Sequence, residues 1–344
     1  MKVGFVYDPI YLEHDTGGHP ENASRLVAIM SHLKKTGIKD RLISLPPRIA
    51  SMAELEMVHD AEYISQVHRM AKSGGGWLDP DTIICPKSYE AALYAAGGLL
   101  TSMEAVWNKG VNSVFALVRP PGHHATKDHA MGFCLFNNIA IAAKFALTTL
   151  GIDRILIVDF DVHHGNGTQD TFYDDPRVLY FSTHQYPFFP GSGSAEELGR
   201  GEGEGFTVNF PMRARWGDQE YSVIFNEVLT RIARRFLPQI ILVSAGFDSH
   251  WADRLALMQT SISGFVNMIT VIKDLAQELC EGRLIFSLEG GYNQQVLSLS
   301  VEATFDILLG NYNIADPLGK APTEYHDGFE ACLCQVKSLH HLEE

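Results

Sequence analysis

Short apolar runs alternate along the chain with longer segments of helical periodicity. Strands are predicted at 3–7, 113–118, 154–160, 178–182, 240–244 and 284–288. Several are apolar on consecutive residues rather than on every second one, as in strands covered on both faces of a parallel sheet. Helices are predicted at 23–35, 89–108, 138–150, 219–236, 263–280 and 294–309, with Asn22 or Ser24 placed to cap the first and Gly37 to stop it. This alternation predicts one α/β domain, residues 1–344, with a central, mostly parallel sheet and helices on both faces. The loop-rich stretches are 74–87, 120–136, 163–170, 184–205, 246–257 and 289–293, and four of them directly follow predicted strands. In open α/β sheets ligands bind beyond the carboxyl ends of the strands, so residues distant in sequence have a geometric reason to meet there.

Composition narrows the function classes. With 46% hydrophobic residues the 344-residue chain can bury a sizeable core. Its 27 Lys and Arg stand against 41 Asp and Glu, a formal net charge of −14. No basic stripe of the kind that binds nucleic acid is visible, and an acidic surface attracts cationic partners such as lysine-rich tails or polyamines. Cys85, Cys134, Cys280, Cys332 and Cys334 form an odd, scattered set, which argues against a disulfide framework and against a structural zinc site. The opening MKVGFVYDPIY lacks the apolar stretch of a signal peptide, and no run of about 18 apolar residues is present. The expectation is a cytoplasmic protein with no membrane span, its oligomeric state open.

Three stretches carry candidate chemistry. In VDFDVHHGNG, Asp159, Asp161 and His163 are spaced two apart, which on an extended strand places them on one face. Close carboxylates raise one another's pKa unless a cation neutralises them, so a divalent ion is the natural companion; a buried acidic pair satisfied by backbone donors is the plainer reading. In IILVSAGFDSH an apolar strand runs into a turn bearing Asp248, where a third ligand would stand. Catalytic zinc takes three protein ligands and keeps one position open, and an oxygen-rich set leaves ferrous iron as an alternative. In RPPGHHATKDHAMGFCLF, two prolines stiffen a strand exit before His123 and His124, whose imidazoles titrate near neutral pH and suit proton transfer.

RPPGHHA, GFCLFNN, DVHHGNGTQ, SAGFD and LEGGY, in this order and separation, resemble the histone deacetylase and acetylpolyamine amidohydrolase family, most closely its class II-like bacterial members. The resemblance runs from HPENASR to about Leu309 and implies the arginase-deacetylase fold. It further implies Asp161, His163 and Asp248 as metal ligands, zinc as the ion and tandem His123 and His124 beside it, with His124 as general base. Asp159 matches the carboxylate that supports His123. Asn166 stands where some members carry a second supporting aspartate, as in many class II-like relatives. Tyr292 matches the tyrosine that donates to the oxyanion, while Gly132, Phe133 and Phe189 match the walls of the substrate tunnel. Structural potassium is implied at two places: backbone oxygens of Asp159, Asp161 and His163 with Ser182, and Phe172, Asp175 and Val178.

The expected reaction is hydrolysis of N-acetyl-lysine in proteins or peptides. The alternative is an acetylpolyamine or other small cationic acetyl-amide as substrate. Polyamine-preferring relatives carry a glutamate two residues past the aspartate of a D-P-E-G segment; here the segment reads Asp253-Arg254-Leu255-Ala256, and Leu255 takes that position. Arg254 and Ala256 depart from the usual proline and glycine. An inactive acetyl-lysine binder would be expected to have lost a ligand or Tyr292, and none is lost. His14, His19, His59, His68 and His129 read as surface or structural histidines. His184 is a candidate for the tunnel mouth, and Asp79 or Asp81 for contact with the substrate backbone. The segment 331–344 matches nothing.

Overall fold

Runs such as Ile155-Leu156-Ile157-Val158 and Ile240-Ile241-Leu242-Val243 have no polar face to offer water, so they form strands only where both faces are covered. In the computed structural model, which describes residues 2–323 and 325–342, they lie at the middle of an eight-stranded parallel sheet. The strands are β1 (Val3–Val6), β2 (Ile43–Leu45), β5 (Ser113–Ala116), β6 (Ile155–Asp159), β7 (Val178–Gln185), β8 (Thr207–Met212), β9 (Ile240–Ala245) and β10 (Leu284–Leu288). Their order is β2-β1-β5-β10-β9-β6-β7-β8. β3 (Gly76–Asp79) and β4 (Thr82–Ile84) form a separate antiparallel hairpin.

Parallel neighbours need long crossovers, which carry the helices α1 (Ser24–Lys35), α2 (Met52–Leu55), α3 (Ala61–Lys72), α4 (Ser88–Trp107), α5 (Asn138–Thr149), α6 (Asn166–Phe172), α7 (Asp218–Val223), α8 (Thr230–Phe236) and α9 (Ile262–Leu279); α10 (Gln294–Leu309) and α11 (Phe329–Leu339) follow the last strand. α10 packs against α1 and α9, and α4 packs against α5. The core continues across layers: the Phe115 ring meets Phe286 at 5.5 Å and Phe305 of α10 at 5.6 Å.

Six strands and six helical segments lie where the sequence predicts them, within a few residues. Several details differ. The helix predicted at 219–236 is interrupted by a π turn, Ile224–Leu229, between α7 and α8. The predicted loop 163–170 winds into α6, and the loop 74–87 contains the β3–β4 hairpin. Helix α1 has Ala23 at its N-cap with no side-chain cap bond; Asn22 Oδ1 instead accepts the Ser24 N–H at 2.9 Å. Helix α11 takes in the start of the C-terminal segment 331–344, for which no element is predicted, and its Phe329 meets Phe210 of β8 at 6.1 Å and so shields that edge of the sheet. No helix among the described residues is long and apolar enough to cross a membrane.

Candidate metal and catalytic site

The carboxyl ends of β5, β6, β9 and β10, four adjacent strands, release the loops that carry the candidate chemistry. β6 ends at Asp159, so Asp161 and His163 converge through the bend that follows rather than through the alternation of a strand. Asp161 Oδ1 accepts the His163 N–H at 2.9 Å and closes that bend. Asp248 arrives from β9 and is fixed by the Val162 N–H on Oδ1 at 3.0 Å. One ligand atom from each of Asp161, His163 and Asp248 lies within 4.8 Å of the other two. His163 Nδ1 stands 3.2 Å from Asp161 Oδ1 and 3.4 Å from Asp248 Oδ2.

The donor set fits a divalent cation on its own terms. Asp248 Oδ2 is buried and accepts no hydrogen bond among the described residues, a costly state for a carboxylate oxygen unless a cation takes it up. Burial and the neighbouring Asp161 push the Asp248 carboxyl up to about 6, and attraction of a dication would relieve that crowding. At Gly290 a Cβ would stand 2.2 Å from Asp248 Oδ2 and 2.6 Å from Asp161 Oδ2, so only glycine lets this strand exit pass the carboxylates. Its N–H donates to Asp161 Oδ2 at 2.8 Å.

Two imidazoles flank the cluster, their ring centroids 4.0 Å apart. His123 Nδ1 lies 3.1 Å from Asp159 Oδ2, which also accepts the Tyr180 hydroxyl at 3.1 Å. Burial draws the His123 pKa down, but Asp159 and Asp161 outweigh it and raise it to about 10. His124 Nδ1 lies 2.9 Å from Asn166 Oδ1, while Asn166 Nδ2 donates to the His124 carbonyl at 3.3 Å. That pairing assigns the proton to Nδ1 and leaves Nε2 as an acceptor. Burial, then the charge of His123, holds His124 well below the usual imidazole range.

A cavity of about 230 Å³ runs to this centre, lined by Asp81, Pro121, His123, His124, Gly132, Phe133, His163, Phe189, Leu255, Gly290 and Tyr292. Phe133 meets Tyr292 edge-on at 5.9 Å, and Phe189 meets His124 edge-on at 5.2 Å. Phe188 stacks on His163 at 5.4 Å instead. The Arg25 guanidinium sits 5.0 Å over the Tyr292 ring.

His184, a candidate for the tunnel mouth, does not reach the cavity: it is fully buried and bonded to Ser182 Oγ and the Gly193 carbonyl. Of the aspartate pair, Asp81 lines the cavity, and its backbone N–H is held by Asp79 Oδ1 at 3.0 Å. Among the histidines read as structural, His19 packs edge-on against Phe133 at 4.4 Å, and His14 and His59 are buried. Sequence reading missed Glu289. Its buried Oε2 accepts the N–H groups of Gly122 (2.7 Å) and His123 (3.3 Å), pinning the histidine-bearing loop. It also missed Asp253, whose two oxygens accept from Leu255, Tyr292 and Asn293. The available signal was a carboxylate next to a motif glycine or after a tight turn, where orphan N–H groups gather.

Comparison with known proteins agrees with this arrangement. Residues 19–308 match the family described as histone deacetylase domain. A protein of Archaeoglobus fulgidus named "Probable deacetylase" is 41% identical over 296 residues, spanning 85% of this chain and 82% of that one. Histone deacetylase 14, chloroplastic, of Arabidopsis thaliana is 37% identical over 351 residues, 96% of this chain and 83% of its own. The solved HDA15 HD domain superposes with a TM-score of 0.89 at 35% identity, covering 98% of this chain and 95% of that domain. On the domain match and on these identities, the chain belongs to the histone deacetylase family.

Proposed function

We propose that the protein is a zinc-dependent hydrolase that removes the acetyl group from N-acetyl-lysine side chains of proteins or peptides. Family membership supports the hydrolase class. One observation carries the finer reading: two carboxylates and an imidazole that fit a dication adjoin a narrow cavity also lined by His123, His124 and Tyr292. Asp161, His163 and Asp248 would hold the ion, and His163 would use Nδ1. When bound, the ion supplies Lewis acidity toward the acetyl carbonyl and toward the attacking water. Ferrous iron suits the same donors; zinc is the ion proposed.

The chain's own groups do the rest. Phe133 and Phe189 flank a lysine's methylene stem and keep water from it. His124 Nε2, a neutral acceptor because Asn166 fixes the other nitrogen, takes the proton of the attacking water. His123, held protonated by Asp159, lends positive charge, and the imidazole pair returns a proton to the leaving amine. Tyr292 keeps its proton: burial and Asp248 raise its phenol well above the usual range, so it donates to the carbonyl oxygen as negative charge develops there. Asp159, Asp161, His163 and Ser182, and separately Phe172, Asp175 and Val178, are the proposed potassium sites. Free thiols at all five cysteines suit a reducing compartment, and the cytoplasm is the one proposed.

The test pairs elemental analysis with turnover. Acetyl-lysine peptides are expected to be hydrolysed faster than acetylputrescine or acetylspermidine, because Leu255 offers no anion to a second ammonium. Asp248→Ala is expected to lose both zinc and activity, and Tyr292→Phe to keep zinc while kcat falls roughly 10²–10³-fold. Turnover confined to acetylpolyamines, or full activity without bound metal, overturns the proposal.

A further inference from the structure

Beside the tunnel lies a second chamber of about 390 Å³, lined by Pro20, Ala252, Asp253, Arg254, Leu255, Tyr292 and Asn293. It shares Leu255 and Tyr292 with the tunnel, so whatever enters it sits next to a substrate stem already in place. The chamber wall is rigid. Asp253 Oδ1 accepts the Leu255 N–H at 3.1 Å, and its Oδ2 accepts the N–H groups of Tyr292 (2.7 Å) and Asn293 (2.9 Å). Asn293 Nδ2 donates to the Ala252 carbonyl at 2.9 Å and closes the same staple. With three donors on a buried carboxylate, the Asp253 charge is spent inward.

Arg254, the next residue, is exposed and has no ion pair or hydrogen bond among the described residues. Apart from the imidazoles of His123, His124 and His163 at the tunnel's inner end, it is the only basic side chain among those lining the tunnel or this chamber. Asp81, a tunnel residue outside the chamber, carries the opposite sign. The tunnel and chamber together are therefore polarised, in a protein whose net charge is −14.

We propose that Arg254 determines specificity. It receives the carboxylate of an acidic residue next to the acetyl-lysine, and it disfavours substrates that bring a second cation to that side. The proposal rests on the acetyl-lysine reading above and narrows its substrate class to acetyl-lysines in acidic sequence context. The guanidinium acts on binding and lies outside the reacting groups, so it acts on KM and leaves kcat nearly unchanged.

The experiment uses three acetyl-lysine peptides that differ only in the flanking residues, Glu, Ala or Lys, with wild type, Arg254→Ala and Arg254→Glu. At low salt the wild-type enzyme is expected to favour the Glu peptide over the Lys peptide by roughly three- to tenfold in kcat/KM, the scale of one solvent-exposed charge pair with its reversal. Arg254→Ala is expected to level the ratio and Arg254→Glu to invert it. Added salt should shrink the wild-type preference. Binding of the same peptides, fluorescently labelled, to the Tyr292→Phe enzyme reads the preference even if turnover is absent, so failure of the deacetylase reading is told apart from failure of this one. A Glu-to-Lys ratio that stays the same in wild type and both Arg254 variants, in turnover and in binding, overturns the proposal.

Discussion

At the scale of single residues, the site depends as much on atoms that are missing as on those present. Gly132 has φ +53°, and a Cβ there would stand 2.4 Å from His124 Cδ2. Gly132→Ala is therefore expected to push the imidazole away from its Asn166 partner. A displacement near 1 Å of a reacting group can cost about 10²-fold in rate, so kcat should fall on that order while zinc content, set by residues on other loops, is unchanged; normal kcat would show that His124 is not held by this contact. The side chains that converge at the candidate site were legible because rare residue types follow apolar runs at strand exits. Glu289 and Asp253 were not legible, because their partners are backbone N–H groups and any sequence supplies those.

At the scale of elements, the strands at the centre of the sheet were legible because they bury runs of consecutive apolar residues, and the long helices because their apolar residues recur with helical period. The outlying ones were not. β2 is only three residues long and half-exposed, β8 carries Asn209 and Pro211, and the hairpin β3–β4 turns through Pro80-Asp81, which reads as loop. Helix α5 ties an element to the site. Asn137, at its N-cap, accepts the Ala140 N–H at 3.1 Å, while its Nδ2 lies 3.3 Å from the Ala125 carbonyl in the histidine loop. Asn137→Ala is expected to cost about 1–2 kcal/mol from the cap, with further loss from the unpaired carbonyl. Urea unfolding checks it, and a change below 0.5 kcal/mol, roughly the scatter of surface substitutions, would exclude this role.

At the scale of the whole molecule, buried histidines set the response to acid. His59 places Nδ1 2.8 Å from the Thr126 carbonyl and accepts the Asn137 N–H on Nε2 at 2.9 Å, an arrangement that only the neutral ring can make. Burial holds its pKa down at about 4, and His184, His250 and His340 are lowered to about 4 in the same way, each chiefly by burial. The unfolded chain protonates these rings near 6.5, so between about pH 6.5 and 4 it binds more protons than the folded one. Through these four rings stability should fall steadily as pH drops through that window, while His123, raised to about 10, makes its own contribution below 6.5 and loses it only as pH rises toward 10. Denaturation midpoints at pH 6.5, 5.5 and 4.5 test this, and equal midpoints at all three would refute it.

The two carboxylates crowded at the carboxyl ends of β6 and β9 have a consequence beyond chemistry. Folding alone must press Asp161 and Asp248 together, and whatever cation relieves that pressure favours the folded chain over the unfolded one. Melting temperature should then climb with the logarithm of free zinc, and Asp248→Asn should flatten that climb while raising the melting point of the chelated protein. With zinc as the proposed ion, a cell short of it would lose this protein twice over, first as a catalyst and then as a folded chain.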